Sequence, residues 1–233
     1  MTSQDPGTRL RAHPLTERCA SIYDGCRHAV FGVSPFNGHF TEPRLRNLFR
    51  WGCQRFDRIH VFVPDEPAAF TLEALGYAPA RARHKARRQA NYLHNKIHRA
   101  LEAVGSPIGN GRFELLNWER LQQNLRYRDA LERCRRMFAD EPEFREACLD
   151  SARWALNGRA GREDVSEPAL HRAVEYFLVE VPLFANSPEI LDEPASVFCY
   201  HQSIPFLDNL YRERLAWIPD RNQGFVVLEP AAD

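Results

Sequence analysis

Two short apolar segments separated by one amphipathic segment constrain the fold most. HAVFGV (28–33) and RIHVFVPD (58–65) are rich in Val, Ile and Phe and end on Gly, Pro or Asp, which is typical of buried strands. Between them, TEPRLRNLFRWGCQRF (41–56) repeats apolar residues near helical spacing, with Thr41 as a candidate N-cap. Strand, helix and strand with short connections form a βαβ unit, so the sequence predicts a parallel sheet.

The remaining apolar patterns extend this α/β prediction along the chain. Further strands are predicted at 112–117, 195–201 and 224–230. Helices are predicted at about 79–104, 124–139, 141–157 and 166–180. We therefore predict a flexible leader over residues 1–20 and a single α/β domain over residues 21–233.

The composition excludes several classes of protein. No apolar run approaches the roughly 20 residues that span a bilayer, and the polar N-terminus lacks the apolar core of a secretion signal, so we expect a cytoplasmic protein without membrane contact. The six cysteines form no CxxC pair and are expected to be free, buried thiols. The nine histidines show no metal-binding spacing, so neither a metal nor a cofactor is expected.

Ser34 follows the first predicted strand in a turn, GVSPFNG. Ligands of open α/β sheets bind at the carboxyl ends of the strands, so a serine there is placed where a nucleophile would be. The Gly-x-Ser-x-Gly pattern of hydrolases is incomplete, because Phe36 stands at the second glycine position. His201 follows a late strand, but no flanking pattern marks an acid partner. From these residues alone, Ser34 is as consistent with a turn former as with a nucleophile.

A second candidate lies in EYFLVEVPLF (175–184). Tyr176 and Glu180 are four residues apart on a predicted helix and so share one face. A carboxylate beside a phenol could bind an ammonium group or move a proton, whereas an ordinary surface pair would show the same spacing.

The third candidate is a basic stretch of the long helix at 79–104. The net charge of the chain is zero, which argues against a generally basic nucleic-acid binder, yet Arg81 to Arg99 contains seven Lys or Arg and no acid. On a helical wheel, one side carries Arg81, Lys85, Arg88, Lys96 and Arg99, while Arg83 and Arg87 lie towards the other. A row of cations at helical spacing suits the phosphates of RNA.

In combination, GVSPFNGHF, the basic helix, YFLVEVPLF and VFCYH resemble the cyclodipeptide synthases in order and spacing, over about residues 20–230. The resemblance implies a Rossmann-like parallel sheet flanked by helices, similar to the catalytic domain of tyrosyl- and tryptophanyl-tRNA synthetases. It also implies a monomer that converts two aminoacyl-tRNAs into a cyclic dipeptide, through aminoacyl- and dipeptidyl-serine intermediates. The sequence lacks the His-x-Gly-His and Lys-Met-Ser-Lys-Ser signatures of ATP-dependent synthetases.

The resemblance also assigns roles to residues. It makes Ser34 the nucleophile, Tyr176 and Glu180 the ligands of the substrate ammonium group, and Tyr200 a participant in proton transfer. Asn37, Tyr200 and His201 match the subfamily that carries Asn, Tyr and His. The residues aligned with the first aminoacyl pocket are Val30, Gly32, Phe62, Leu183 and Phe198. The residues expected to bind tRNA are Arg81, Lys85, Arg87, Arg88, Lys96 and Arg99.

Two rival functions remain open on the sequence. A serine hydrolase or acyltransferase acting on small esters would need a histidine within reach of Ser34, and it has no use for the basic helix. A non-catalytic RNA-binding domain would use the basic helix but does not require Ser34, Tyr176 and Glu180 together. The product is not predicted, although Gln202 and Ser203 after the Tyr-His pair favour a polar second side chain.

Overall fold

The structure of the protein is a computed structural model that describes residues 9–160 and 165–231. Its centre is one sheet with the strand order β1-β6-β5-β2-β3-β4. The strands are β1 (Leu10–Pro14), β2 (His28–Gly32), β3 (Arg58–Phe62), β4 (Phe113–Leu116), β5 (Ser196–Tyr200) and β6 (Gln223–Pro230). β2 to β6 are parallel, and β1 pairs antiparallel with the edge of β6.

Helices cover both faces of this sheet. They are α1 (Glu17–Gly25), α2 (Glu42–Arg55), α3 (Ala68–Ala74), α4 (Pro79–Ala103), α5 (Trp118–Gln123), α6 (Leu125–Asp140), α7 (Pro142–Ala160), α8 (Glu167–Leu191) and α9 (Pro205–Tyr211). α2 links β2 to β3 as the sequence predicts, and this crossover fixes the two strands as parallel neighbours. Among the described residues, no helix is long and apolar enough to cross a membrane.

The alternation of side chains along the strands divides the core into two clusters. On β2, Val30 belongs to the cluster packed by α6, α7, α8 and α9, whereas Phe31 belongs to the cluster packed by α2 and α4. Both side chains are fully buried, because the sheet is covered on both faces. This explains why apolar residues of the central strands face both sides of the sheet instead of alternating with exposed polar ones.

The structure corrects the predicted leader. Residues 10–14 form β1, residues 17–25 form α1, and Thr16 caps α1 by accepting a hydrogen bond from the Cys19 amide. β1 is an edge strand that pairs on one side only, so its sequence, LRAHP, needs no buried apolar run. Residues 1–8 lie outside the described residues, so that part of the leader stays a prediction.

The helix predicted at 166–180 was too short. α8 continues to Leu191 through Pro182 and Pro188, with a kink at Asn186, whose φ and ψ of −139° and 24° are not helical. Trp217 donates a hydrogen bond from Nε1 to Oδ1 of Asn186 at 3.1 Å, so tertiary packing supports the kink. The six cysteines are free, and all except the half-buried Cys53 are buried, as the sequence predicts.

Candidate active site

Ser34 lies at the carboxyl end of β2. The amide of Val33 donates to the Phe62 carbonyl at 2.9 Å, so pairing with β3 continues one residue beyond β2 and fixes the approach to Ser34. Pro35 lies two residues further on and, since it has no amide hydrogen, cannot continue this pairing. The side chain of Ser34 is only 7% exposed, and its hydroxyl lies 3.0 Å from the hydroxyl of Tyr200. A serine hydroxyl is therefore held at the sheet edge where α/β folds bind ligands.

Asn37 ties this turn to the end of β5. Its Oδ1 accepts a hydrogen bond from the His39 amide at 2.9 Å, which orients the side-chain amide. Nδ2 then donates to the Tyr200 hydroxyl at 3.3 Å and to Nε2 of His201 at 2.9 Å. The Tyr200 hydroxyl thus accepts from Asn37 and also pairs with Ser34, in a hydrogen bond that either hydroxyl can donate.

His201 is a neutral ring in this arrangement. Its Nε2 accepts from Asn37, so the ring proton is on Nδ1. The pKa of His201 is lowered to about 4, chiefly by burial and also by the nearby His39 and Arg44. The rings of His201 and His39 stack at 4.0 Å between centroids. His201 therefore positions Asn37 and is not bonded to Ser34, whose hydroxyl pairs with Tyr200 among the described residues.

Two backbone features shape the turn. A Cβ at Gly32 would lie 2.8 Å from Cε1 of Phe198 and 3.1 Å from Cδ2 of Tyr200, so only glycine lets these rings approach β2. Phe36 has a φ of 60°, a left-handed conformation that is strained for a bulky residue. Its ring packs against a small cluster that includes Ala82 and Ala86 of α4, which stabilises the strained turn.

A cavity of about 620 Å³ opens beside Ser34. Tyr176 and Glu180 of α8 both line it, so the residues that the sequence places on one helix face point into one space together with Ser34. Asn37, Tyr200 and His201 line the same cavity from the turn and from β5. A serine hydroxyl, a carboxylate and two phenols thus surround a space that is large enough for aminoacyl groups.

Only some of the residues predicted for the first aminoacyl pocket line this cavity. Gly32 and Phe198 line it. Val30, Phe62 and Leu183 are buried in the adjoining core and are not among its lining residues. Val30 of β2 and Phe62 of β3 lie on the side of the sheet that faces α8, and Leu183 packs from α8 itself. All three therefore lie behind the residues that line the cavity.

The sequence patterns missed a wall of the cavity that α7 provides. The lining residues on this helix are Ser151, Ala152, Trp154, Ala155 and Leu156. Small and apolar residues on an amphipathic helix have no chemical signature, so a pattern search finds only core there. Trp154 is the exception, because a 47% exposed indole in such a helix is unusual.

The predicted tRNA-binding residues all lie on α4. The set is Arg81, Lys85, Arg87, Arg88, Lys96 and Arg99. α4 itself provides no acidic partner for this row, but neighbouring elements do. Arg99 pairs with Glu42 of α2 at 2.8 Å, and Arg87 pairs with Glu66 at 3.1 Å. Both arginines are more than half exposed, so these pairs are weak and leave the face cationic.

Comparison with known proteins identifies the family. Residues 10–230 match the family described as cyclodipeptide synthase. The chain is 30% identical over 247 residues to a cyclo(L-leucyl-L-leucyl) synthase of Bacillus subtilis (strain 168), an alignment that covers 100% of this chain and 94% of the relative.

Solved structures agree with the fold. A Mycobacterium tuberculosis protein, described as demonstrating that cyclodipeptide synthetases are related to type I tRNA synthetases, superposes with a TM-score of 0.85 at 30% identity and covers 99% of each chain. Two distant structures share the fold alone, each with a TM-score of 0.55. They are the Archaeoglobus fulgidus tyrosyl-tRNA synthetase, at 16% identity over 94% of this chain and 61% of that one, and a Candidatus Glomeribacter gigasporarum cyclodipeptide synthase bound to Phe-tRNAPhe, at 14% over 88% of each.

The expected likeness to tyrosyl-tRNA synthetase is thereby confirmed, with the antiparallel β1 as an addition at the sheet edge. The family match spans the sheet, the turn at Ser34 and the α8 residues that line the cavity. By sequence and by fold, this chain belongs to the cyclodipeptide synthase family.

Proposed function

We propose that this chain joins two aminoacyl groups, each delivered by a tRNA, into a cyclic dipeptide, and that Ser34 carries the intermediates. The observation that supports this most is the position of Ser34: its hydroxyl pairs with Tyr200 at 3.0 Å and borders a cavity shared with Glu180. Family membership supports the reaction class.

The first step captures an aminoacyl group. Glu180 and Tyr176 bind its α-ammonium group, which places the ester carbonyl near Ser34. The Ser34 oxygen forms a new ester bond with the carbonyl carbon, and the bond to the tRNA ribose oxygen breaks. The hydroxyl proton of Ser34 ends on the departing ribose oxygen. An aminoacyl ester is already activated, so the exchange of one ester for another needs no ATP.

The second step forms the peptide bond. A dipeptidyl-serine keeps the Ser34 ester, so the attacking group must be the amine of the seryl-bound residue. This amine first loses a proton, for which the Glu180 carboxylate is the acceptor on the cavity wall. It then attacks the ester carbonyl of the second aminoacyl-tRNA, and the second tRNA leaves with its ribose hydroxyl restored.

The third step closes the ring. The new amino terminus attacks the seryl ester carbonyl, the carbon–nitrogen bond forms, and the bond to the Ser34 oxygen breaks. The proton lost by the amine returns to Ser34 by way of the Tyr200 hydroxyl, which lies within hydrogen-bond distance. Asn37 donates to that hydroxyl and so keeps it in place. Because the attack is intramolecular, positioning supplies much of the acceleration.

The composition of the cavity wall favours substrates whose aminoacyl side chains are apolar or aromatic. Away from the polar groups it is lined by Phe177, Phe184, Phe198, Ile204, Leu207 and Phe225. Burying an apolar side chain against these rings contributes roughly 1.5–3 kcal/mol, whereas a charged side chain would meet few partners there. The relative from Bacillus subtilis is a leucyl-leucyl synthase, which agrees with this class.

The basic face of α4 is proposed to hold the acceptor end of each tRNA. Support comes from the row of cations and from the distant relative that was solved with Phe-tRNAPhe. Use of charged tRNA implies that the protein acts in the cytoplasm, and we expect a monomer. Light scattering during size-exclusion chromatography of the purified protein checks the monomer.

Mass spectrometry of culture medium tests the proposal. Bacteria that express the wild-type chain should release cyclic dipeptides, whose mass equals that of two amino acids minus two water molecules. Bacteria that express the Ser34→Ala variant should release none. Ser187→Ala is the matched control, because Ser187 is also a buried serine but donates to the Leu183 carbonyl within α8. The absence of such species from bacteria with soluble wild-type protein would contradict the proposal.

A further inference from the structure

The cations on one side of α4 form a row that is interrupted near its middle by an uncharged residue. With 100° per residue, Arg81, Lys85, Arg88, Lys96 and Arg99 fall within an arc of roughly 80°. Between Arg88 and Lys96, one helical turn from each, the same arc contains Tyr92. The row spans about 27 Å along the axis at 1.5 Å per residue, and Tyr92 lies just past its midpoint.

Tyr92 is exposed in a way that packing within the chain does not explain. Its side chain is 58% exposed, and it is one of the few large hydrophobic residues with that exposure. The buried residues of α4, such as Ala90, Leu93 and Ile97, lie on another side of the helix. Among the described residues, Tyr92 has no hydrogen bond, ring contact or cation contact.

The other tyrosine beside this helix shows what a structural role looks like. Tyr77 precedes α4 and is half-buried, and its hydroxyl accepts a hydrogen bond from Lys85 at 2.7 Å. Lys85 and Arg81 also lie over its ring, at 4.3 Å and 5.5 Å from the centroid. Tyr77 thus organises the start of the row, whereas Tyr92 presents its ring and hydroxyl outward between two cations.

We propose that Tyr92 is a positioning residue that docks against the ribose-phosphate backbone of the tRNA, its ring covering a ribose and its hydroxyl donating to a backbone oxygen. The inference rests on the proposed function of the basic face. Charge complementarity selects the occupant, because the flanking Arg88 and Lys96 attract phosphates to both sides of the ring. A phenol between them adds contact area and a directed hydrogen bond, which long-range charge attraction lacks.

The contribution of Tyr92 differs in kind from that of a cation. A Lys or Arg that neutralises a phosphate releases a counterion, so its loss makes the slope of log K against log salt shallower by roughly 0.7–0.9. Tyr92 is uncharged, so its loss should weaken binding without changing that slope. Loss of a side chain that makes no contact with tRNA should leave both the affinity and the slope at their wild-type values.

Equilibrium binding of bulk bacterial tRNA to the full chain, measured at several salt concentrations, tests the inference. Tyr92→Leu should weaken binding by about five- to tenfold with an unchanged salt slope, and Tyr92→Phe should lie between it and wild type. Lys96→Gln should weaken binding and make the slope shallower. His98→Ala is the control, because His98 is an exposed ring on α4 that lies outside the arc.

The outcomes separate the two claims. If Tyr92→Leu binds tRNA with wild-type affinity while Lys96→Gln gives a shallower salt slope, the role of Tyr92 is overturned and the proposed function stands. A slope change for Tyr92→Leu, or an equal loss for His98→Ala, would also overturn it, since each indicates a general disturbance of the helix. Wild-type protein that does not bind tRNA would contradict the proposed function itself, and the inference with it.

Discussion

Two networks of buried and half-buried polar groups lie at different positions along the strands of the same sheet. The closed network consists of Ser196, His28, His60 and Glu114 on β5, β2, β3 and β4. The cavity network consists of Ser34, Asn37, Tyr200 and His201 at the carboxyl ends of β2 and β5. Each contains a serine and a neutral histidine, and burial is the largest cause that lowers the pKa of both His60 and His201, in each case to about 4.

The two networks differ in where their hydrogen bonds end. In the closed network, His28 bonds to Ser196 at 2.9 Å and to His60 at 2.8 Å, and Glu114 faces His60 at 3.9 Å. Glu114 then pairs with Arg58 at 2.7 Å, so the polar groups are satisfied by one another. In the cavity network, the same kind of groups border a space of about 620 Å³. A shifted pKa alone therefore does not mark a candidate functional site; an opening to a cavity beside a serine hydroxyl does.

The largest expected effect comes from the hydroxyl that joins the two strands of the cavity network. Tyr200→Phe removes the proton relay to Ser34 and should lower cyclic dipeptide formation by about 100-fold or more, as expected for loss of a general acid or base. The melting temperature should change little, because the ring remains. Product yield from purified protein and charged tRNA measures the loss. Unchanged yield would remove Tyr200 from the mechanism and weaken the contrast between the networks.

The next effect separates tight packing from packing at the cavity. Alanine at Gly32 would place Cβ 2.8 Å from Phe198, and alanine at Gly52 would place it 2.8 Å from Phe31, away from the cavity. Both variants should lose about 1–3 kcal/mol of unfolding free energy through overpacking. Only Gly32→Ala should also lower product formation, by about tenfold or more, because it displaces groups beside Ser34. Urea denaturation and product assays of both variants measure this, and equal activity losses would contradict it.

The smallest expected effect on product formation belongs to the closed network, in which acid should change stability. The folded-state pKa values of His28 and His60, about 3 and about 4, lie below the ordinary value of 6.5. Between these values and pH 6.5, the two rings are therefore protonated in the unfolded chain and neutral in the folded one. Stability is therefore greatest above pH 6.5 and falls as the pH drops towards 4, by up to about 1.4 kcal/mol per pH unit for each ring.

A variant of the closed network checks this pH dependence. His60→Gln keeps a hydrogen-bonding group beside His28 but removes one titrating ring. Urea denaturation between pH 7.5 and 4.5 should show a shallower fall in stability than wild type, with product formation at pH 7.5 unchanged. A loss of activity comparable to that of Tyr200→Phe would mean that the closed network takes part in function, and the contrast would fail.

Much of this architecture follows from the sequence because the central strands are covered on both faces. The predominantly apolar segments at 28–33 and 58–65 have few alternatives to burial in a parallel sheet, and β2 and β3 lie there. β1 escaped prediction because it pairs on one side, so its residues alternate weakly and include arginine and histidine. α8 was predicted too short because two prolines normally end a helix, and only tertiary contacts such as Trp217 with Asn186 carry it further.

The candidate site divides in the same way. Ser34, Glu180 and Tyr200 were selected through the family resemblance, whereas the residues alone left Ser34 open between a turn former and a nucleophile. The apolar wall from α7 could not be selected, because residues such as Ala152 and Leu156 line the cavity only when α7 packs beside α8. Val30, Phe62 and Leu183 show the converse, since alignment selected core residues that support the cavity from behind.

Intact-protein mass spectrometry tests the central claim, that Ser34 carries the aminoacyl group, most directly. Purified protein is mixed with a single kind of charged tRNA, quenched in acid within seconds, and weighed. The wild-type chain should gain the mass of one aminoacyl residue, mapped by fragmentation to Ser34 and absent from Ser34→Ala. Cyclic dipeptide formed by the Ser34→Ala variant, or an adduct mapped to another residue, would contradict it.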